Sequence, residues 1–150
     1  MPRYFTLSEA ERLLAKVGGQ VRQAVHLKTE LETVNQEFEA LTQRVAMAGG
    51  MIVNQERFLT LRRRRDGLAK RLRERIEEIH EHGCQIKDLD RGLLDFPTIY
   101  RGEEVLLCWK MGEETIGYWH GMNDGFAGRR KIDDEFIANH RGESDAAGEG

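Results

Sequence analysis

Lys87 to Arg130 reads KDLDRGLLDFPTIYRGEEVLLCWKMGEETIGYWHGMNDGFAGRR and holds both tryptophans together with Cys108 and His120. Within it, Glu104 to Trp109 and Thr115 to His120 alternate around Met111-Gly112-Glu113-Glu114, the pattern of two antiparallel strands joined by a turn. A two- or four-residue loop sets Trp109 opposite Ile116, Cys108 opposite Gly117, Leu107 opposite Tyr118 and Val105 opposite His120. Side chains alternate along a strand, so Val105, Leu107, Trp109, Ile116, Tyr118 and His120 share one face. Leu106, Cys108 and Trp119 fall on the other, which parts Cys108 from His120. A three-residue loop with a bulge would alter this pairing. Ile86 to Leu89 and Leu93 to Phe96 supply two more short strands, ended by Pro97.

Everything before this stretch reads as helix. From 6 to 48, apolar residues recur at three-then-four spacing: Ala10, Leu13, Val17, Ala24, Leu27, Leu31, Val34, Phe38, Leu41, Val45 and Ala48, with Gln20 as the one interruption. Thr6 with Glu9 and Ser8 with Glu11 are overlapping capping boxes. Gly18-Gly19 falls mid-pattern, costs about 1 kcal/mol per glycine against alanine, and predicts a kink. After the turn at Ala48-Gly49-Gly50, a second helix runs from about 54 to 82, with Asn54 as N-cap and Gly83 just past its end. A short connection makes the two helices antiparallel neighbours. The fold class is therefore α+β: a long antiparallel helical hairpin (1–85), a small antiparallel β cap (86–132) and a polar, partly disordered tail (133–150). Two narrow coiled-coil-like seams bury little by themselves, so a second copy of the chain is expected to close the bundle as a homodimer.

Composition agrees with an elongated molecule, since only 39% of residues are apolar while 33% are charged. A formal net charge of −3 supplies no general attraction for nucleic acid or a membrane surface. Two cysteines are too few for a disulfide framework. The opening MPRYFTLSEAERLL is unlike a signal peptide, and no apolar run nears the roughly 20 residues of a membrane span. The expectation is a soluble, cytoplasmic protein with free thiols.

The blocks YFTLSEAERLL, KDLDRGLLDFP, LLCWKMGEE and YWHGMNDGFAGRR, in this order over roughly residues 4 to 132, resemble the uncharacterised prokaryotic family called domain of unknown function 2203. The resemblance implies the fold and domain limits and brings no activity with it. It also implies an acidic residue after the Trp-His pair, where this chain has Gly121, and a proline near Ala15 that is missing here.

Chemistry-bearing groups cluster in the β cap. His120, beside Trp119, suits a general base or a metal ligand, or bonds a neighbouring carbonyl. Cys108 lies in an apolar strand, where thiols are usually inert. Asp88, Asp90, Asp95 and Glu113 could join His120 around a divalent metal ion, although no metal-ligand spacing is recognisable and Asp90-Arg91-Gly92 also reads as a plain turn. Gly125 to Arg130 is a flexible loop with two guanidiniums, able to hold an anion or to pair with an acidic neighbour such as Asp95. His80-Glu81-His82-Gly83-Cys84 carries zinc-type donors but sits at a helix end, where histidines favour the helix dipole. The basic run Arg62 to Arg65 faces Glu30, Glu32, Glu37 and Glu39, so ion pairs between the helices explain it without nucleic acid.

These groups support a dimeric, non-enzymatic module that binds a small anionic ligand or a protein through Trp109, Trp119, His120, Phe126 and Arg129. The alternative is a metal-assisted hydrolase with His120, Asp95 and Glu113 as catalytic or metal-binding residues and Arg129 holding the substrate.

Overall fold

The computed structural model describes residues 3–47, 49 and 55–143. Helix α1 (Leu7–Met47) and helix α2 (Gln55–Glu81) precede an antiparallel sheet, giving the α+β class. Its strands are β1 (Gln85–Asp88), β2 (Leu93–Tyr100), β3 (Glu103–Lys110), β4 (Tyr118–Gly121) and β5 (Arg130–Lys131), in that spatial order. A short helix α3 (Asp134–Asn139) leads to β6 (His140–Arg141), which pairs with β2. Contacts divide the chain into one unit of Met1–Arg22 with Ile76–Gly150 and another of Gln23–Arg75.

In the Gln23–Arg75 unit, Leu27 and Val34 of α1 meet Leu61 and Leu68 of α2. Glu37 pairs with Arg57 at 3.2 Å and Glu30 with Arg64 at 4.0 Å, so the helices run in opposite directions. Arg65, at the edge of the seam, lies over the Phe38 ring. Of the basic run, Arg64 thus reaches Glu30 of the acidic helix beside it and Arg65 covers a ring of that helix.

Thr6 caps α1: its Oγ1 accepts from Glu9 N, and the Glu9 carboxylate accepts from Thr6 N. Ser8 lies inside the first turn instead. The helix does not break at Gly18-Gly19. Ala10, Leu14, Val17, Val21 and Ala24 are buried in an unbroken four-three spacing, so the seam passes through Leu14 and Val21 and leaves Gln20 aside. That burial outweighs the local cost of two glycines. Gly83 ends α2 at φ +98°, and a side chain there would meet Arg3 Cβ at 2.8 Å. The expected Asn54 cap and most of the turn at 48–50 lie outside the described residues.

β2 is buried on both faces at Leu93 to Thr98, as befits a central strand. It runs straight through Pro97 rather than stopping there. Leu106 of β3 lies opposite Pro97, while on the other edge the Pro97 carbonyl accepts from Phe5 N at 2.8 Å. The ring therefore costs no ladder bond, because that edge is met by the N-terminal segment and not by a strand. On the inner face Phe5 packs edge-on to Phe96, and Trp109 lies against Gly18 and Leu14 of α1.

β4 pairs with β3 one residue out of the expected register, with Cys108 opposite Tyr118, Leu107 opposite Trp119 and Leu106 opposite His120. β3 closes at Lys110, where Glu113 N donates to Lys110 O and Lys110 N donates to the Glu113 carboxylate. The chain then needs residues 111–117 to return, and the longer connection shifts β4. Because side chains alternate, this slip moves Trp119 to the inner face and brings His120 to the face of Cys108.

The segment from 133 to 143 is built in and is not a tail. Asp133 Oδ1 accepts from Phe136 N to cap α3, and Phe136 is buried between Tyr100, Trp119 and His140. Gly142 follows β6 and is itself buried.

Gly18 and Gly19 hold helical backbone with room for a methyl group: a Cβ on Gly18 would sit 3.7 Å from Leu14 Cδ1, and one on Gly19 would meet nothing within 4 Å. Gly18→Ala and Gly19→Ala should each stabilise the protein by about 0.5–1 kcal/mol. Urea unfolding checks this, and a loss of stability in both would contradict the continuous helix.

Candidate functional site

Asp95 of β2 and Cys108 of β3 are direct cross-strand partners, so both side chains project from one face. His120 of β4 lies opposite Leu106, two residues along from Cys108 on that same face. All three are buried. A nitrogen, the Cys108 sulfur and a carboxylate oxygen lie within 4.8 Å of one another. Among the described residues, this is the one His/Cys/Asp/Glu group that converges so closely.

His120 Nδ1 stands 2.8 Å from Gly121 O. A carbonyl can only accept, so Nδ1 carries a proton and Nε2 faces Asp95 Oδ1 at 3.2 Å. The bond to Asp95, with a contribution from Cys108, raises the imidazole from 6.5 to about 10 against the opposing effect of burial. The second carboxylate oxygen, Asp95 Oδ2, is buried with no hydrogen-bond partner among the described residues.

These groups floor a cavity of about 140 Å³ whose walls are Leu93, Leu106, Met122, Gly125 and Phe126, with Lys87 at its side. The roof is the segment after β4. Asp124 Oδ2 turns back to accept from Gly121 N, and a Cβ on Gly121 or Gly128 would come within 2.7 Å of the Asp124 side chain. Phe126, in a single 3-10 turn (Phe126–Gly128), packs under Arg129, whose guanidinium also covers the Tyr118 ring at 4.0 Å.

The other candidates are placed elsewhere. Glu113 does not join His120: its oxygens lie 2.7 and 2.9 Å from Arg129 Nη2, and its carbonyl accepts from Trp109 Nε1. Arg129 accordingly pairs with Glu113, not with Asp95. Trp109 and Trp119 lie on the inner face, Trp109 against α1 and Trp119 in the ring cluster with Tyr100 and Phe136. Asp88 Oδ1 caps the turn by accepting from Arg91 N, and Gly92 takes φ +66° there. Of the zinc-like run at the end of α2, His80 Nε2 accepts from Ile86 N and Cys84 donates to Ile79 O. Burial pushes the Cys84 thiol up to about 12, which leaves it inert at neutral pH.

Cys108 is the site residue that sequence reasoning set apart, together with the wall residue Met122. The bulged-loop alternative was the signal that would have joined Cys108 to His120, since any odd slip exchanges the faces of β4.

The raised imidazole fixes a sign for pH dependence in the metal-free protein. A folded value above the unfolded one stabilises fully below 6.5 and loses that contribution as pH rises through about 10. Asp95 and Cys108 face the ring across the sheet, and Lys87 is the nearby cation from β1. The stability difference between wild type and His120→Gln should therefore be constant below 6.5, shrink steadily between 6.5 and about 10, and level off above that. Denaturant titrations over that range check this, and a gap that never narrows would refute it.

No helix of the described residues is long and apolar enough to cross a membrane. No curated protein and no solved structure matches the chain. The pattern of the family described as "Uncharacterized conserved protein (DUF2203)" matches residues 3–132, and with that match over most of its length the chain belongs to this family.

Proposed function

We propose that the sheet unit is a binding module whose site is the pocket above Asp95, Cys108 and His120. The observation that carries this reading is the floor itself. Every other side chain that β2 and β3 bury on that face is apolar, whereas Asp95 keeps a carboxylate oxygen unpartnered beneath a cavity. Burying a carboxylate and an imidazole costs several kcal/mol of solvation that apolar residues would avoid. A few convergent polar groups beneath apolar walls are the usual make-up of a ligand pocket. The occupant must bring positive charge or a donor to Asp95, so the anionic ligand expected through Arg129 is not favoured: Glu113 neutralises that guanidinium.

The hydrolase alternative keeps His120 and Asp95 and loses Glu113 and Arg129, which satisfy each other. Self-association through the helix pair is a separate proposal, supported by Leu31, Phe38, Leu41 and Leu72 remaining only partly covered there. Light scattering at micromolar concentration should give twice the chain mass, and a monomer would end that proposal.

A thermal-shift screen of ions and small metabolites tests the pocket. A ligand present at a hundredfold its Kd adds about 2.7 kcal/mol and raises Tm by several degrees. Hits should protect wild type and fail to protect Met122→Trp, which narrows the mouth at a half-exposed position. Hits that protect both proteins equally would place binding elsewhere.

A further inference from the structure

We infer that Asp95, Cys108 and His120 form a binding site for a divalent transition-metal ion of the zinc class, with a fourth position open to the pocket. This rests on the reading of the pocket as a binding site and names its occupant.

The donor set is the first argument. Imidazole nitrogen, thiolate sulfur and carboxylate oxygen are the three protein donors zinc takes, while calcium and magnesium select oxygen alone. Spacing is the second. Tetrahedral zinc with bonds of about 2.0–2.3 Å holds its donors roughly 3.3–3.7 Å apart. Here Nε2 and Asp95 Oδ1 stand at 3.2 Å and the whole set lies within 4.8 Å, so an ion needs only small side-chain rotations.

Orientation is the third. The Gly121 carbonyl takes the Nδ1 proton at 2.8 Å and leaves Nε2 directed at Asp95 Oδ1, which is how metal-bound histidines are commonly held. The same geometry disfavours a Cys-His-Asp proton relay. A relay needs one ring nitrogen for the carboxylate and the other for the thiol, yet Asp95 holds Nε2 and backbone occupies Nδ1. Three donors converging on one point form a chelate.

The orphaned oxygen is the fourth. Asp95 is 1% exposed, and its Oδ2 has no partner among the described residues. A cation bound to the carboxylate supplies the missing interaction. All three donors also stand on neighbouring hydrogen-bonded strands, so the site is preformed.

Three protein ligands beside a cavity leave one position for an exchangeable molecule. Zinc sites that are purely structural are closed by four protein ligands, whereas those with three admit water or substrate. The apolar walls at Leu93, Leu106 and Phe126 would select a small ligand with one metal-binding atom and a compact apolar body.

Cobalt(II) gives a direct test on the intact chain. Titration into metal-free protein should saturate at one equivalent, with tetrahedral visible bands and a near-ultraviolet thiolate-to-cobalt charge-transfer band. The charge-transfer band should vanish in Cys108→Ser and persist in Cys84→Ser, and zinc should displace the cobalt. Azide should shift the visible bands if the fourth position is open. Circular dichroism establishes that each variant is folded, and the wild-type titration stands without any variant. Cobalt that leaves the spectrum and Tm unchanged overturns the metal site. If organic ligands then still protect wild type but not Met122→Trp, the pocket reading survives alone. If neither metal nor organic ligand binds, both readings fall. A band retained in Cys108→Ser would move the ion to another site and equally refute the assignment.

Discussion

Glu113 N donates to Lys110 O while Lys110 N donates to the Glu113 carboxylate, and this two-way clasp sets where β3 stops. The position of β4 depends on it. With the strand closed at Lys110, the return puts Leu106 opposite His120, and the alternation of side chains does the rest. Trp119 turns to the inner face, where Tyr100 and Phe136 stack against it, while His120 turns outward onto Asp95. Arg129 secures the clasp from the far side by gripping both Glu113 oxygens and lying on Tyr118 and Phe126. A charge pair outside the pocket's lining therefore decides which side chains the pocket receives.

The sheet can hold a polar floor because its other face is so thoroughly apolar. Leu94, Phe96, Val105, Leu107 and Trp109 are buried almost completely. Each such side chain contributes about 1.5–3 kcal/mol of burial. That sum leaves room for one cluster whose solvation is incompletely replaced, and local strain of this kind gathers at functional sites.

Much of the fold was legible because it is written in short-range patterns. The helices follow from apolar spacing and from a capping box that the structure reproduces at Thr6 and Glu9. What local reading missed was decided by distant residues. Pro97 stays in a strand because Phe5, far away in sequence, supplies the donor on that edge. The helix runs on through Gly18-Gly19 because Trp109, far away in sequence, packs against Gly18. The segment from 133 to 143 is polar in composition, yet a single ring, Phe136, anchors it, and the Asp133 cap was readable had composition not been weighed above pattern. For the site, His120 and Asp95 were visible as residue types, but their union with Cys108 hinges on a one-residue slip that no propensity encodes.

The unit containing the sheet is discontinuous along the chain, drawn from Met1–Arg22 and from Ile76–Gly150, with Gln23–Arg75 inserted between them. On the ribosome the apolar stripe of Ala10, Leu14, Val17 and Val21 emerges first and finds its sheet only after Trp109 has been made. The strand β6, which pairs with β2, arrives later still. Helix pairing by the inserted segment is local and fast, whereas closure of the sheet waits on long-range contacts. During synthesis, nascent chains consequently carry an uncovered greasy helix face until the sheet that covers it is complete.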